Sequence, residues 1–226
     1  YDAVAFFSTG LGDEHTHDAQ IGFLATGYTP PIWEHVFRIP PADFFEDAEA
    51  FLDPTRGQVV LLPNPVQPHS EGRLTLASSD AAVPPRIEFN YFDDPHDVRV
   101  MVAVMRKALE VAAAWPGGGL GDPVVPPHLA RAHGHEAGAE PSDALLEDLA
   151  RHYALTVYHE TSTCRIGDVV DPQLRVRDID ALRVADASVM PNVVSGNTNA
   201  ASIMIGEKAA ELIASEHGVR LHQMVG

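Results

Sequence analysis

The chain has one cysteine, Cys164, among 226 residues. That excludes an internal disulfide framework and any zinc site built on several thiolates. Basic residues are scarce: 15 Lys and Arg stand against 32 Asp and Glu, for a formal net charge of −17. Such a surface repels phosphate backbones and anionic lipid, which argues against nucleic acid and membrane surfaces as partners. No run of 18 apolar residues occurs, so no stretch has the character of a membrane-spanning helix. No signal peptide is visible. The chain opens on Tyr1 rather than Met, from which processing or a piece of something longer is expected. With no address to read, a cytoplasmic location is the default expectation. No internal repeat is evident.

What is present supports a sizeable core: 45% of the residues are hydrophobic and 21% charged, ordinary values for a globular protein. Up to about Asp93 the chain reads as strands and turns. "AQIGFLATG" is apolar with small residues, and "GQVVLLPN" is a short buried-type run closed by Pro63. "EGRLTLASSD" alternates, with Leu74 and Leu76 on one face, and "RIEFNYF" alternates through Ile87, Phe89 and Tyr91. Proline pairs (Pro30–Pro31, Pro40–Pro41, Pro84–Pro85) separate these runs. Strands so spaced predict an antiparallel sheet.

A long helix follows. Asp94 suits its N-cap, Pro95 its first position and Asp97 its positive end. Val98, Met101, Val102, Met105, Leu109 and Ala112 form the predicted apolar stripe, opposite Arg99, Arg106, Lys107 and Glu110. "PGGGLGDPVVPP" is a loop: its glycines follow a helix, not a strand, and Asp122 stands where a nucleotide-binding motif needs its third Gly. "ARAHGHEAGAE" is a second loop, and "SDALLEDLARHYAL" a helix capped by Ser142. "LRVRDIDALRVAD" predicts two short strands around an Asp-rich turn. "NTNAASIMIGEKAAELIASEHG" predicts a helix ending at Gly218. Its first turns, Ala200 to Gly206, carry no charge, which predicts an N-terminal end buried in the interior.

The candidate chemistry gathers late in the chain. "YHETSTCRIG" places His159 five residues before Cys164. A thiol nucleophile would need His and Cys close in space with an orienting third group; a buried, inert Cys is the simpler reading. "DEHTHD" and "HGHE" read as solvated loops rather than metal sites, and no metal is expected. The helix start "SGNTNAASIMIG" carries more information. A helix N-terminus presents unpaired N–H groups and partial positive charge. Either Asn197 and Asn199 cap it, or an anionic or electron-rich ligand docks there. A strand end, a tight turn at Asp186 and a helix start are where open α/β sheets place ligands.

Residues 158–213 closely resemble the C-terminal signature of the glucose–methanol–choline (GMC) flavin oxidoreductases. The matching motifs are H-x-x-x-T-C-x-x-G, V-D-P-x-L-R-V, L-R-V-x-D-A-S-x-M-P and N-T-N before an apolar helix. Upstream, "NPVQPHSEGRLTLASSD…" through the Asp94 helix is similar to the family's substrate-domain segment, and "HDAQIGF" to the strand before it. Ser162 stands where the family commonly has Gly, and Ile166 where it has Met.

The resemblance implies an α/β (α+β) fold. Residues 1–157 would be mainly a substrate-binding domain, an antiparallel sheet with flanking helices. Residues 158–226 would supply the last strand–turn–helix of a Rossmann-like FAD-binding domain. It implies FAD as cofactor and an alcohol as substrate. His159 would be the base for the substrate hydroxyl, and Asn199 its hydrogen-bonding partner. Asp186, Ala187, Asn197, Asn199 and Ala200 would lie along the flavin. The family's G-x-G-x-x-G segment is absent from these residues, so an N-terminal half would be the partner, as a separate chain or a cleavage product. A GMC-type hydroxynitrile lyase with structural FAD, and a non-catalytic fragment, are the alternatives.

Overall fold

The computed structural model describes residues 2–13, 15–25 and 59–219. The proline pairs at 30–31 and 40–41, and residues 57–58 of the "GQVVLLPN" run, lie outside them. The described residues form two compact units interleaved along the chain. One draws on Tyr1–Pro65 and Phe92–Thr156, the other on Val66–Tyr91 and Val157–Gly226. Residues 66–91, expected in the substrate-binding part, thus group with the C-terminal segment.

The first unit is a sheet covered by helices. Strands β1 (Ala3–Phe7), β2 (Ala19–Leu24) and β3 (Val60–Pro65) form an antiparallel sheet in that order. β1 carries no signal that the composition of "YDAVAFFSTG" made plain. β3 does not stop at Pro63, which pairs with Ile21. Because β3 is an edge strand, a proline there removes no ladder bond that the sheet needs.

Helix α1 (Pro95–Ala113) packs on this sheet. It starts where the sequence predicts: Asp94 Oδ1 accepts the N–H of His96 at 2.7 Å. Its most buried face follows the predicted stripe only at Val98, which is buried as expected. Val100, Val104 and Ala108 join Ala19 and Ile21 in the core, with Phe7 and Leu61 packed around them, while Met101, Val102, Met105 and Leu109 are only half-buried. The cause is that α1 contacts both the sheet and helix α3 (Asp143–Tyr153). Two neighbours share its surface, and the side toward the sheet takes its small and β-branched side chains. Ser142 caps α3, its Oγ accepting from the N–H of Leu145 at 3.2 Å. Arg106 on α1 donates to Asp143 at the start of α3 and to Glu140 just before it. The segment predicted as a loop around residues 130–140 contains helix α2 (Pro127–His133), closed by Gly134 at φ 60°. Its His133 Nε2 lies 2.7 Å from Asp148 Oδ2 on α3.

The second unit joins a hairpin to the C-terminal segment. Strands β4 (Arg73–Thr75) and β5 (Arg86–Glu88) pair antiparallel, Leu74 opposite Ile87. Gly72 enters this hairpin where a Cβ would stand 2.5 Å from the carbonyl oxygen of Glu88. Only glycine fits that approach. The two strands predicted around the Asp-rich turn reduce to isolated bridges, Val170 with Val176 and Arg175 with Arg183.

Helix α4 (Asn199–Glu216) closes the unit. Gly218, at φ 64°, terminates it, and Val219 N–H reaches back to the carbonyl of Ala214 at 2.8 Å. The core beneath it is Val170, Leu174, Val189, Met190, Ile205 and Ala209. One expectation fails here. The uncharged N-terminal turns of α4 are not interior: Ile203 and Met204 are each 58% exposed. The core takes the Ala201–Ile205–Ala209–Leu212 side of the helix, and the described residues cover no second apolar face.

Candidate active site

The site is built on the turn at residues 158–167. Tyr158 (φ 63°) and Ser162 (φ 73°) both adopt the left-handed conformation, uncommon for residues with a Cβ. Glycine adopts it readily, which is the physical reason a glycine suits the position that Ser162 fills. The turn is then fixed to the next segment by two backbone bonds. Cys164 N–H donates to Ser188 O, and Ile166 N–H to Val189 O, each at 2.9 Å. Arg165 anchors it from outside, both terminal guanidinium nitrogens lying 3.0 Å from Glu71 Oε1. Cys164 is half-buried rather than buried, a correction to the sequence expectation. Its backbone N–H is what ties it in.

This turn delivers His159, half-buried, to the start of α4. Both ring nitrogens are engaged there. Nε2 lies 2.9 Å from Asn197 Oδ1, and Nδ1 lies 2.9 Å from Thr198 Oγ1. A carbonyl oxygen only accepts, so Nε2 donates to Asn197. In a neutral ring Nδ1 then accepts from the Thr198 hydroxyl.

The helix start itself stays open. Thr198 is the N-cap by position, yet it makes no side-chain cap bond, forgoing a contribution of about 1 kcal/mol. Among the described residues, the first amide to find a partner is that of Ser202, which donates to Thr198 O at 2.9 Å. The earlier N–H groups of α4 lie beyond the helix ladder and carry partial positive charge. Neither Asn197 nor Asn199 caps the helix, as one of the two sequence readings had it. Asn199 and Ala200 are exposed at this end, and among the described residues the Asn199 side chain makes no hydrogen bond.

Asp186 sits one turn earlier and is exposed. Its Oδ1 accepts from Ser188 N–H at 2.8 Å and from Ser188 Oγ at 2.5 Å, capping a single 3₁₀ turn, Ala187–Val189. Ala187 packs against the core. The structure therefore brings together His159, Asn197 and Thr198. It leaves Asn199 and Ala200 at the adjacent helix end, and Asp186 and Ala187 on the preceding turn. The amide that reaches the ring is that of Asn197, while Asn199, expected to meet the substrate oxygen, makes no hydrogen bond to the imidazole. Thr198, 7% exposed, escaped the sequence reading altogether. A threonine before a helix reads as a cap, and nothing in the spacing says that its hydroxyl turns away.

A family model described as GMC oxidoreductase, for the C-terminal domain, matches residues 68–206, more than half of the chain. Choline oxidase of Arthrobacter globiformis is 42% identical over 166 residues, covering 69% of this chain and 28% of that protein. Alcohol dehydrogenase [acceptor] of Pseudomonas putida is 39% identical over 150 residues, covering 65% and 26%. The crystal structure of pyridoxine 4-oxidase from Mesorbium loti superposes with a TM-score of 0.65 at 21% identity, over 96% of this chain and 38% of that one. This last likeness is one of fold. The chain spans about a third or less of the length of the curated relatives it matches. The motifs around His159 and the helix start they lead to lie within the matched residues, and the chain belongs to the GMC oxidoreductase family.

Proposed function

We propose that this chain forms part of an FAD-dependent enzyme that oxidises a primary or secondary alcohol. The observation that carries the reading is the imidazole of His159, held at the open start of α4 by Asn197 and Thr198. FAD, when bound, would supply the two-electron acceptor for the hydride that leaves the alcohol carbon. The residues present fit such a group. Exposed N–H donors and partial positive charge at the start of α4 complement the electron-rich edge of an isoalloxazine and the negative charge it gains. Asn197, Asn199 and Ala200 would border the ring, and Asp186 and Ala187 the chain that leads to it.

The chain's own part in the reaction is proton handling and positioning. Losing hydride from carbon requires that the hydroxyl proton leave as well, and the product is a carbonyl. His159 takes that proton at Nε2, since imidazole is the side chain best matched to neutral pH. For this, the substrate hydroxyl takes the place of Asn197 Oδ1 at Nε2. An asparagine amide does not titrate, so the base role falls to His159 alone. Asn197 then orients the substrate oxygen, and Asn199 offers a second amide from the helix end. The similarity to an alcohol dehydrogenase and to choline oxidase supports an alcohol donor. The remainder of the flavin site would come from an N-terminal GMC half bearing G-x-G-x-x-G, on a separate chain or as a cleavage product.

The test is reduction of the flavin-loaded protein by alcohol under anaerobic conditions. His159→Ala is expected to keep FAD yet slow flavin bleaching by about 10²-fold or more. Bleaching at the wild-type rate in this variant would remove His159 from the chemistry. Asn197→Ala should slow it more than Asn199→Ala, because only Asn197 reaches the ring.

A further inference from the structure

We propose that Thr198 is a positioning residue for His159: its hydroxyl holds the imidazole at Nδ1, as donor or as acceptor, instead of capping its own helix. Three observations carry this. Thr198 occupies the N-cap of α4 without a side-chain cap bond. Its backbone is helical (φ −82°, ψ −8°) rather than extended, so the hydroxyl lacks the usual N-cap geometry that directs it to the first-turn amides. And that hydroxyl lies 2.9 Å from His159 Nδ1 while the residue is only 7% exposed.

The chemistry follows from the donor and acceptor inventory of the three groups. A neutral imidazole has one donor nitrogen and one acceptor nitrogen. With Asn197 Oδ1 at Nε2, the proton sits on Nε2 and Thr198 donates to bare Nδ1. A base needs the opposite tautomer, with Nε2 bare toward a substrate hydroxyl. Nδ1 then carries the proton, and the same Thr198 oxygen accepts it after a rotation of its O–H. The protonated ring keeps that Nδ1–H bond and donates from Nε2 as well. A hydroxyl serves all three states with the ring in one place. An amide oxygen or a backbone carbonyl in its position would serve only those with a proton on Nδ1. The side chain is therefore placed to let the partner at Nε2 change while the ring stays fixed. The functional consequence rests on the alcohol-oxidation reading above; the tautomer control does not.

The test uses the 226-residue chain labelled with ¹⁵N at histidine, His159 being assigned with His159→Gln. Thr198→Val keeps the shape of the side chain and removes the hydroxyl; Thr198→Ser keeps the hydroxyl. In Thr198→Val the two ring nitrogens of His159 are expected to shift toward their solvent-averaged positions, the other histidines staying in place. Thr198→Ser should restore the wild-type pair. If the valine variant does not fold, Thr198→Ala removes the hydroxyl with less bulk and gives the same reading. Wild-type ring resonances without the hydroxyl would overturn the proposal, as would a serine variant that behaves like valine. In the flavin-loaded protein, Thr198→Val should lower kcat by about 10- to 100-fold, as a mis-set catalytic group does, and leave KM for the alcohol within about 2-fold. If the ring resonances move as expected but His159→Ala reduces flavin normally, the redox reading fails and Thr198 still positions the ring.

Discussion

At the scale of single residues, the turn that carries His159 holds backbone conformations that cost energy. Ser162 is left-handed at φ 73°, and among the described residues its side chain bonds only to its neighbour, Thr161 Oγ1 at 2.9 Å. Its carbonyl accepts from Arg165 Nε at 3.3 Å, a bond that glycine would keep. Ser162→Gly is therefore expected to raise stability by about 0.5–1 kcal/mol, the left-handed cost outweighing the added chain entropy of glycine. Urea unfolding would read this as a higher midpoint at unchanged m-value. A lower midpoint would mean that the Thr161–Ser162 contact matters more than the backbone. The sequence pointed to this position as a departure from the family pattern. Why the departure matters is a dihedral angle, which no spacing encodes.

At the scale of elements, capped helix starts are legible in the sequence and buried faces are not. Asp94–Pro95 and Ser142 mark helix starts because capping is a local event: the side chain satisfies amides two or three residues on. Asp94→Ala should cost about 1 kcal/mol of stability through the orphaned first-turn amides of α1. A thermal unfolding midpoint identical to wild type would show that water replaces the carboxylate without loss. The buried face of α1 was displaced from its predicted stripe because it depends on which two neighbours share the helix. The two strands predicted within residues 174–186 reduce to bridges for a related reason. Alternating residues make a strand competent, but a partner strand must be there to extend it. The start of α4 misled for a third reason. An uncharged stretch signals a need for cover, and the described residues cover one face only.

At the scale of the whole molecule, acidity is the dominant electrostatic fact, with a net charge of −17. Glu216, at the end of α4, is an acid with two cationic partners. Its carboxylate accepts from Arg175 Nη2 at 2.9 Å and from the Arg183 guanidinium. These bonds pull its pKa from 4.5 down to about 2, and Arg175 is raised in turn by the same contact. The sign is that of a depressed acid. The contribution to stability is full above about pH 4.5 and disappears as pH falls through about 2. Glu216→Gln should therefore flatten the loss of stability across that window, and high salt should shrink the difference, because the pair is exposed. Parallel unfolding curves for variant and wild type against pH would contradict it. The hairpin leaves a further mark at this scale: Leu76 is 88% exposed, and Leu74, Ile87, Phe89 and Tyr91 about half. Leu74 pairs with Ile87 across the hairpin and Phe89 stacks on Tyr91, and exposed apolar side chains so grouped are where association is expected.

The sequence by itself determined the family, the capped starts of α1 and α3, the glycine end of α4 and the two segments that meet at the site. These are local signals, carried by residue types at fixed separations. Only the tertiary structure decided who touches the imidazole. Asn197, Thr198 and Asn199 are consecutive, and all three can hydrogen-bond. Which of them reach His159, nearly forty positions earlier, depends on how the turn at 158–167 is bound to Ser188 and Val189 and on the backbone angles at the helix start. There the chain turned one hydroxyl inward, toward Nδ1, and left the next amide facing out.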